Sequence, residues 1–173
     1  MSGFSYGFLA DMPERELCAA FKGHRPQNLP WGYDKLDPRC VLLKSRIEEE
    51  IRAAYAQGKR YFLSGMAEGV DTYAAEAALK LKKELPELAL ICVFPCGLAR
   101  DKRRGAISRG ADTVVSLYEK YCTGCMIARD RFLVSRSSLL IAACSSGANG
   151  GTAATMRMAS EAGIKIRVIP IEN

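Results

Sequence analysis

FLSGMAEGVDTYAAEAALKL, residues 62–81, predicts a strand that passes through a glycine turn into a helix. The apolar residues over Tyr61–Ser64 indicate a short buried strand. Beyond Gly69, residues at helical spacing let one face of a helix cover a sheet; they are Val70, Ala74, Ala77 and Leu81. Pro86 prevents this helix from running further. The stretch is therefore a strand–turn–helix unit, the repeating element of an α/β fold.

Short apolar runs alternate with helical segments along the rest of the chain. The predicted strands are Cys18–Lys22, Tyr61–Ser64, Ala89–Phe94, Thr113–Leu117, Leu139–Ala143 and Arg167–Ile171. A helix that Gly58 stops is predicted between the first two strands, from the apolar positions Leu43, Ile47, Ile51 and Tyr55. This order predicts a Rossmann-like α/β fold with a parallel or mostly parallel sheet and helices on both faces. We expect one domain over residues 18–173, preceded by an amino-terminal arm over residues 1–17.

Composition narrows the class of protein. A chain of 173 residues with 49% apolar content can bury roughly 70% of its unfolded surface without disulfides. It has no basic-flanked amino-terminal signal and no run near the roughly 18 apolar residues of a membrane span, so we expect a cytoplasmic protein without a membrane partner. Seven cysteines, dispersed through predicted strands, indicate buried thiols rather than a secreted disulfide framework.

The charge balance allows an anionic partner. The formal net charge is +6, yet basic residues are scattered apart from ARDKRRGAISR, residues 99–109. That run is typical of a solvated helix face. No zinc-finger spacing or aromatic-rich strand motif accompanies it, so nucleic acid is an alternative partner rather than the first expectation.

The loop after the first predicted strand is a candidate site, because ligands in open α/β sheets bind beyond the carboxyl ends of strands. Gly23 lets the chain turn, and His24 and Arg25 offer donors to an anion. The structural alternative is that Trp31 and its neighbouring prolines pack this loop against the core.

The turn after the second predicted strand is another candidate. Ser64 and Gly65 lead into a helix that starts near Gly69, where backbone amides without partners can bind a phosphate. Asp71 in the first turn would compete with an anion for those amides. It could instead cap the helix or accept hydrogen bonds from a ribose or base.

The third candidate turn follows the fifth predicted strand. Gly150 and Gly151 can bring backbone amides close to a phosphate, and Thr152 adds a hydroxyl at the helix start. No lysine follows these glycines, and no G-x-G-x-x-G follows the first strand. A P-loop nucleoside triphosphatase and an ordinary nicotinamide enzyme are thereby disfavoured.

A C-x-x-C pair, Cys122 and Cys125, lies in YCTGCMIARDRFLVSRSS, residues 121–138. Such a pair is redox-active or half of a zinc site in some cytoplasmic proteins, but no second cysteine pair or histidine cluster completes four ligands here. We therefore expect no metal and favour structural thiols.

Two arginines on one predicted helix face need a partner. Helical spacing aligns Arg129 and Arg136 with Cys125 and Phe132. A carboxylate from elsewhere in the protein is one possible partner, and a ligand phosphate is the other.

Four segments together resemble the YpsA-like branch of the SLOG superfamily, whose members have a Rossmann-like fold. The segments are FKGHRPQNLPWGYD (21–34), SGMAEGVDTYAAEAAL (64–79), MIARDRFLVSRSSLLIAAC (126–144) and GGTAATMRMASEAG (150–163). The resemblance implies binding of a nucleotide or nucleotide-derived small molecule, as a sensor or regulatory module, and a homodimer. The positions that it nominates for ligand binding are Gly23, His24, Arg25, Ser64, Gly65, Gly69, Asp71, Arg129, Gly150, Gly151 and Thr152.

Two further resemblances supply alternatives. The GGT turn is similar to that of Lonely guy enzymes, which cleave a base from a nucleoside monophosphate, but Thr155 stands where they have a glutamate. A nucleotide-processing hydrolase would need another carboxylate, for which Glu68 and Glu76 are candidates. SGMAEGVD resembles the glycine turn of DNA-processing protein A, so a protein associated with single-stranded DNA is the second alternative.

Overall fold

A computed structural model describes residues 11–97 and 101–172 of the chain. These residues form one six-stranded parallel sheet with five α-helices. The strands are β1 Cys18–Gly23, β2 Tyr61–Ser64, β3 Ala89–Cys96, β4 Thr113–Tyr118, β5 Leu139–Cys144 and β6 Lys165–Pro170. The helices are α1 Pro38–Ala56, α2 Val70–Leu81, α3 Lys102–Gly110, α4 Cys125–Ser135 and α5 Gly150–Glu161. The predicted Rossmann-like fold class is confirmed.

Helices cover both faces of the sheet, because alternate strand residues point to opposite sides. Ala19 and Phe21 of β1 pack into a core with α1, α2 and Ile107 of α3. Cys18 and Ala20 pack into a second core with residues of α4 and α5. All six residues of β1 are buried, as in a central parallel strand covered on both sides.

The strand order is β4-β3-β2-β1-β5-β6. After β1 the chain adds β2, β3 and β4 on one side, and then α4 returns it so that β5 pairs with the other side of β1. The order of strands therefore reverses between β1 and β5. In folds of this kind, the crevice beyond the carboxyl ends of those two strands is the usual ligand site.

The last strand departs from its predicted bounds. It begins at Lys165 rather than Arg167 and ends at Pro170. It is an edge strand, and its residues are mostly exposed or half-buried. A lysine is well tolerated at such an edge, so apolar content is a poor guide to where the strand begins.

The predicted amino-terminal arm is described in part. Its residues 1–10 lie outside the described residues. A 3-10 turn at Arg15–Leu17 is held by the body of the protein: Arg15 Nε donates to Ser137 O at 2.9 Å, and Lys59 Nζ donates to Glu16 O at 2.7 Å. In the ranges described, no helix has both the length and the apolar character needed to cross a membrane.

Candidate functional site

The place where the strand order reverses, at the carboxyl ends of β1 and β5, is the switch point of the sheet. Gly23, the last residue of β1, lies there with Ala143 of β5 as its neighbour. A Cβ at Gly23 would lie 2.4 Å from Cβ of Val70, the first residue of α2. The start of α2 therefore packs directly on the end of β1. A glycine is required here by this close approach.

His24 connects the three turns that the sequence singled out. Its backbone oxygen accepts a hydrogen bond from Val70 N at 3.1 Å, at the start of α2. Its ring Nε2 lies 3.2 Å from both the backbone N and the Oγ of Ser145, just beyond β5. Because the Ser145 N–H donates to Nε2, that nitrogen carries no proton and the ring is neutral. Burial lowers the pKa of His24, in agreement with a neutral ring.

The residues after His24 divide into packed and exposed groups. Pro26, Leu29 and Trp31 are buried, so this part of the loop packs against the core, as the structural alternative proposes. Arg25 is exposed, and its guanidinium makes no hydrogen bond or ion pair with any residue that the structure describes. Arg25 is thus free to meet an anion.

The β2–α2 turn, residues 64–69, is closed by its own groups. Ser64 Oγ donates to Asp71 O at 2.8 Å and accepts from Met66 N at 3.2 Å. Ala67 N donates to Asp71 Oδ2 at 3.3 Å. Asp71, near the start of α2, therefore stabilises the loop of residues 64–69 by accepting hydrogen bonds from Ser64 and Ala67.

The two glycines of this turn have no room for a side chain. A Cβ at Gly65 would lie 2.9 Å from Arg129 Nε and 3.0 Å from Asp71 Oδ2. Gly69 has φ of +101°, and a Cβ there would lie 2.5 Å from the backbone oxygen of His24. Polar side chains and backbone of the protein fill the space in front of this turn.

A buried ion network, made of Lys22, Arg129, Asp130 and Thr155, lies beneath the switch point. Lys22 Nζ is 3.2 and 3.1 Å from the two oxygens of Asp130. Arg129 Nε donates to Asp130 Oδ1 at 3.0 Å, and Arg129 Nη1 donates to Gly65 O at 3.1 Å. Thr155 Oγ1 donates to Asp130 Oδ2 at 3.1 Å. The partner of Arg129 is thus a carboxylate of the protein, but it belongs to the adjacent residue Asp130 rather than to a distant part of the chain. Arg136 instead lies over the ring of Phe132, 5.6 Å from its centroid.

Asp71 borders this network. Its side chain is buried, and Oδ1 has no hydrogen-bond partner among the residues described. Burial raises the pKa of Asp71, and the nearby charges of Lys22 and Arg129 act in the opposite direction. The carboxyl group of Asp71 therefore lies near two cations but lacks a full set of hydrogen bonds.

The β5–α5 turn, residues 145–151, faces solvent. Asn149, Gly150 and Gly151 are exposed, and the side chain of Asn149 does not cap α5. A Cβ at Gly147, Gly150 or Gly151 would contact no described atom within 4 Å. Thr152, in the first turn, is 5% exposed. The first amides of α5 lack helical partners, and those of Gly150 and Gly151 belong to exposed residues.

The carboxylates considered for catalysis lie in different settings. Glu76 forms a two-point ion pair with Arg103, at 2.6 and 2.7 Å. Glu68 is exposed, and Thr155 is fully buried within the ion network. Asp130 is the carboxylate that contacts Thr155, but two cations already share its charge.

The thiol pair has one exposed and one buried member. Cys122 is exposed, whereas Cys125, the first residue of α4, is 1% exposed. On α4, Arg129 is buried with Cys125 and Phe132 is half-buried, as is Arg136, which follows the last residue of the helix. Over the part of the chain described, no three His, Cys, Asp or Glu residues are arranged to hold a metal ion.

Comparison with known proteins decides the family. A family model described as the YspA SLOG family (YpsA) matches residues 19–169, from β1 to β6. The chain belongs to this SLOG family. A UPF0398 protein from Lysinibacillus sphaericus (strain C3-41) is 26% identical over 129 residues, which cover 69% of this chain and 71% of that protein. Membership of this SLOG family suggests a nucleotide-related role.

Three residues of this SLOG protein were missed by the sequence reasoning: Lys22, Asp130 and Ser145. The sequence could have indicated a role for Lys22, because a lysine inside a strand of otherwise apolar residues needs a buried partner of opposite charge. Asp130 adjoins Arg129 in the sequence, yet only the packing of α4 against the sheet shows that it accepts from Lys22. No pattern indicates that Ser145 contacts His24.

Proposed function

We propose that this SLOG protein binds a nucleotide or nucleotide-derived small molecule at the switch point between β1 and β5, as a sensor or regulatory module. The observation that carries the proposal is the solvent-facing, uncapped start of α5 beside the carboxyl end of β1. The His24–Ser145 contact holds these two elements together.

The phosphate of the ligand binds at the start of α5. The amides of Gly150, Gly151 and Thr152 lack helical partners and carry the positive end of the helix dipole. Because Gly150 and Gly151 have no side chains and no described atom lies close to them, phosphate oxygens can approach their backbone amides closely. Arg25 supplies a full positive charge from the loop after β1.

The ribose or base lies toward the loop after β1. Arg25, Gln27 and Asn28 are exposed there and offer donors and acceptors. His24 is already committed to Ser145, so its role in this proposal is to hold the crevice rather than to contact the ligand.

The β2–α2 turn takes a supporting role in this proposal. Its front is filled by Asp71 and Arg129, and a phosphate there would displace the bond from Arg129 to Gly65 O. It would also meet the carboxyl group of Asp71. We favour binding over turnover because the carboxylate that contacts Thr155 belongs to Asp130. Its charge is already shared by ion pairs with Lys22 and Arg129.

The proposal is tested by isothermal titration of AMP, ADP-ribose, NAD, inorganic phosphate and single-stranded oligonucleotides into the purified protein and two pairs of variants. Gly151→Asp places a negative charge at the phosphate site, and Ser160→Asp places the same charge at the exposed far end of α5. Arg25→Ala removes the exposed guanidinium in the loop after β1. Its control, Arg109→Ala, removes an exposed guanidinium on α3.

We expect at least one phosphate compound to bind, and to bind at least about tenfold more weakly to Gly151→Asp and Arg25→Ala. The two control variants keep the affinity of the wild type. Equal binding by Gly151→Asp and Ser160→Asp contradicts the site. If single-stranded oligonucleotides bind and none of the small molecules does, with affinity that falls steeply between about 50 and 200 mM salt, the DNA-associated alternative replaces the proposal.

A further inference from the structure

We propose that Cys122 and Cys125 form a peroxide-sensitive dithiol, which oxidation closes into a disulfide at the start of α4. The inference rests on the thiols and the turn that carries them, and it is independent of the ligand proposed above.

The backbone between the two cysteines forms a tight turn. Cys125 N donates to Cys122 O at 3.2 Å, and Gly124 between them has φ of +84° and ψ of 0°. These values define a type II β-turn with glycine at its third position. The first and fourth Cα atoms of such a turn are less than about 7 Å apart, and disulfides join Cα atoms about 4.4–6.8 Å apart. The turn therefore presents its two terminal cysteines at a separation that one disulfide can span.

A third thiol lies near the pair. Cys96, the last residue of β3, has a raised pKa, caused by burial first and then by the nearby thiols of Cys125 and Cys122. A thiol that could compete for Cys125 is thus present at the carboxyl edge of the sheet. Its raised pKa keeps Cys96 in the neutral thiol form, which is a poor nucleophile.

Exposure assigns the roles of the other two thiols. Cys122 is exposed, so a dissolved peroxide reaches it first. Cys125 is 1% exposed and lies at the other end of the turn, so it is placed to react with an oxidised Cys122 rather than with the peroxide.

The chemistry balances with hydrogen peroxide as the two-electron oxidant. The Cys122 thiolate attacks one peroxide oxygen, an S–O bond forms, the O–O bond breaks, and the hydroxide released takes up a proton to become water. The sulfur of Cys125 then attacks the sulfenic sulfur of Cys122. The S–S bond forms, the S–O bond breaks, and the proton of the Cys125 thiol leaves with hydroxide as a second water. Two thiols are oxidised to one disulfide, and the peroxide is reduced to two waters.

The disulfide would act on the helix that holds the ion network. Cys125 is the first residue of α4, and Arg129 and Asp130 follow about one turn later on the same helix. Arg129 in turn holds Gly65 O in the β2–α2 turn. A covalent clamp on the first turn of α4 therefore restrains the helix that links these groups.

Trypsin makes the test direct, because cleavage after Lys120 and Arg129 places both cysteines in one peptide, residues 121–129. After treatment of the whole protein with one equivalent of hydrogen peroxide and blocking of remaining thiols, we expect this peptide as an internal disulfide, about 2 Da lighter than its dithiol form with the same oxidation state of Met126. A dithiol reductant restores the original mass. Amide hydrogen exchange in α4 slows on oxidation, while exchange in β6 is unchanged.

Three variants make the outcome decisive. Cys122→Ser, at an exposed position, abolishes the disulfide and the change in exchange; Cys144→Ala, which removes a buried cysteine at the end of β5, keeps both. Cys96→Ala also keeps the disulfide within residues 121–129. The proposal is overturned if Cys122 oxidises to sulfinic acid with no disulfide, if the cysteines stay reduced, or if residues 121–129 are recovered cross-linked to the peptide that contains Cys96.

Discussion

The β2–α2 and β5–α5 turns have similar sequences but different surroundings. Both are glycine-rich, both follow a central strand, and both lead into a helix without a side-chain cap. At Gly65 and Gly69, a Cβ would overlap side chains or backbone of the protein, whereas at Gly150 and Gly151 it would contact no described atom. A glycine after a strand therefore lets another group come close to the backbone. In the β2–α2 turn that group is part of the protein itself, and in the β5–α5 turn, in our proposal, it is a phosphate.

The largest expected effect comes from the ion network of Lys22, Arg129, Asp130 and Thr155, which contacts the β2–α2 turn through Arg129. Asp130→Ala leaves Lys22 and Arg129 buried without their carboxylate, so we expect the free energy of unfolding to fall by about 3–5 kcal/mol. Urea denaturation measures this. Glu84→Ala, which breaks the exposed pair of Arg52 and Glu84, is the control and is expected to change stability by less than about 1 kcal/mol. Similar losses in the two variants would show that the network does not stabilise the fold.

The glycines themselves give the second effect. Gly69→Ala combines a φ of +101° with a Cβ 2.5 Å from a backbone oxygen, and we expect a loss of about 2–3 kcal/mol in the free energy of unfolding. Gly151→Ala, in the first turn of α5 with no described neighbour, is expected to change it by less than about 1 kcal/mol. Denaturation curves of the two variants measure the contrast. Equal losses would remove the distinction between a packed and an open turn.

The smallest expected effect is the pH dependence of His24, which joins the two turns. Burial lowers the pKa of folded His24 below 6.5, so the unfolded chain binds the proton more readily. The contribution of His24 to the free energy of unfolding is therefore complete above pH 6.5. It is lost as the pH falls toward the lower pKa of the folded state. Asp71, with a raised pKa, gives the opposite slope above its ordinary value of 3.8.

The difference between wild type and His24→Gln isolates the contribution of His24, the single histidine of the chain. We expect denaturation midpoints measured from pH 7.5 to pH 5 to fall more steeply for the wild type. Parallel curves would mean that the folded state accepts the proton as readily as the unfolded chain does.

The fold could be predicted from the sequence to a large degree, because strands buried on both faces have continuous apolar runs and the helices have clear apolar stripes. β1 and β2 are examples, and the exposed edge strand β6 shows where the signal weakens. The location of the candidate site followed from the same pattern, since the ends of parallel strands share an edge.

The division of roles within that edge could not be predicted. Arg129 and Asp71 have the residue types of a ligand site, but packing of α4 and α2 turns them toward Asp130 and Ala67. Those contacts join residues close in the chain, but they depend on side-chain direction, which spacing does not encode. Gly150 and Gly151 stay candidates because the structure leaves them exposed, and their ligand role is still a prediction.

The central claim is that the β5–α5 turn, and not the β2–α2 turn, receives the phosphate. A titration of ¹⁵N-labelled protein with ADP-ribose, with inorganic phosphate as a second probe, tests it through the backbone amide signals of both turns. We expect saturable shifts at Gly150, Gly151 and Thr152, with much smaller changes at Gly65 and Gly69. Dominant shifts at Gly65 and Gly69, or no saturable shift in either turn, would contradict it.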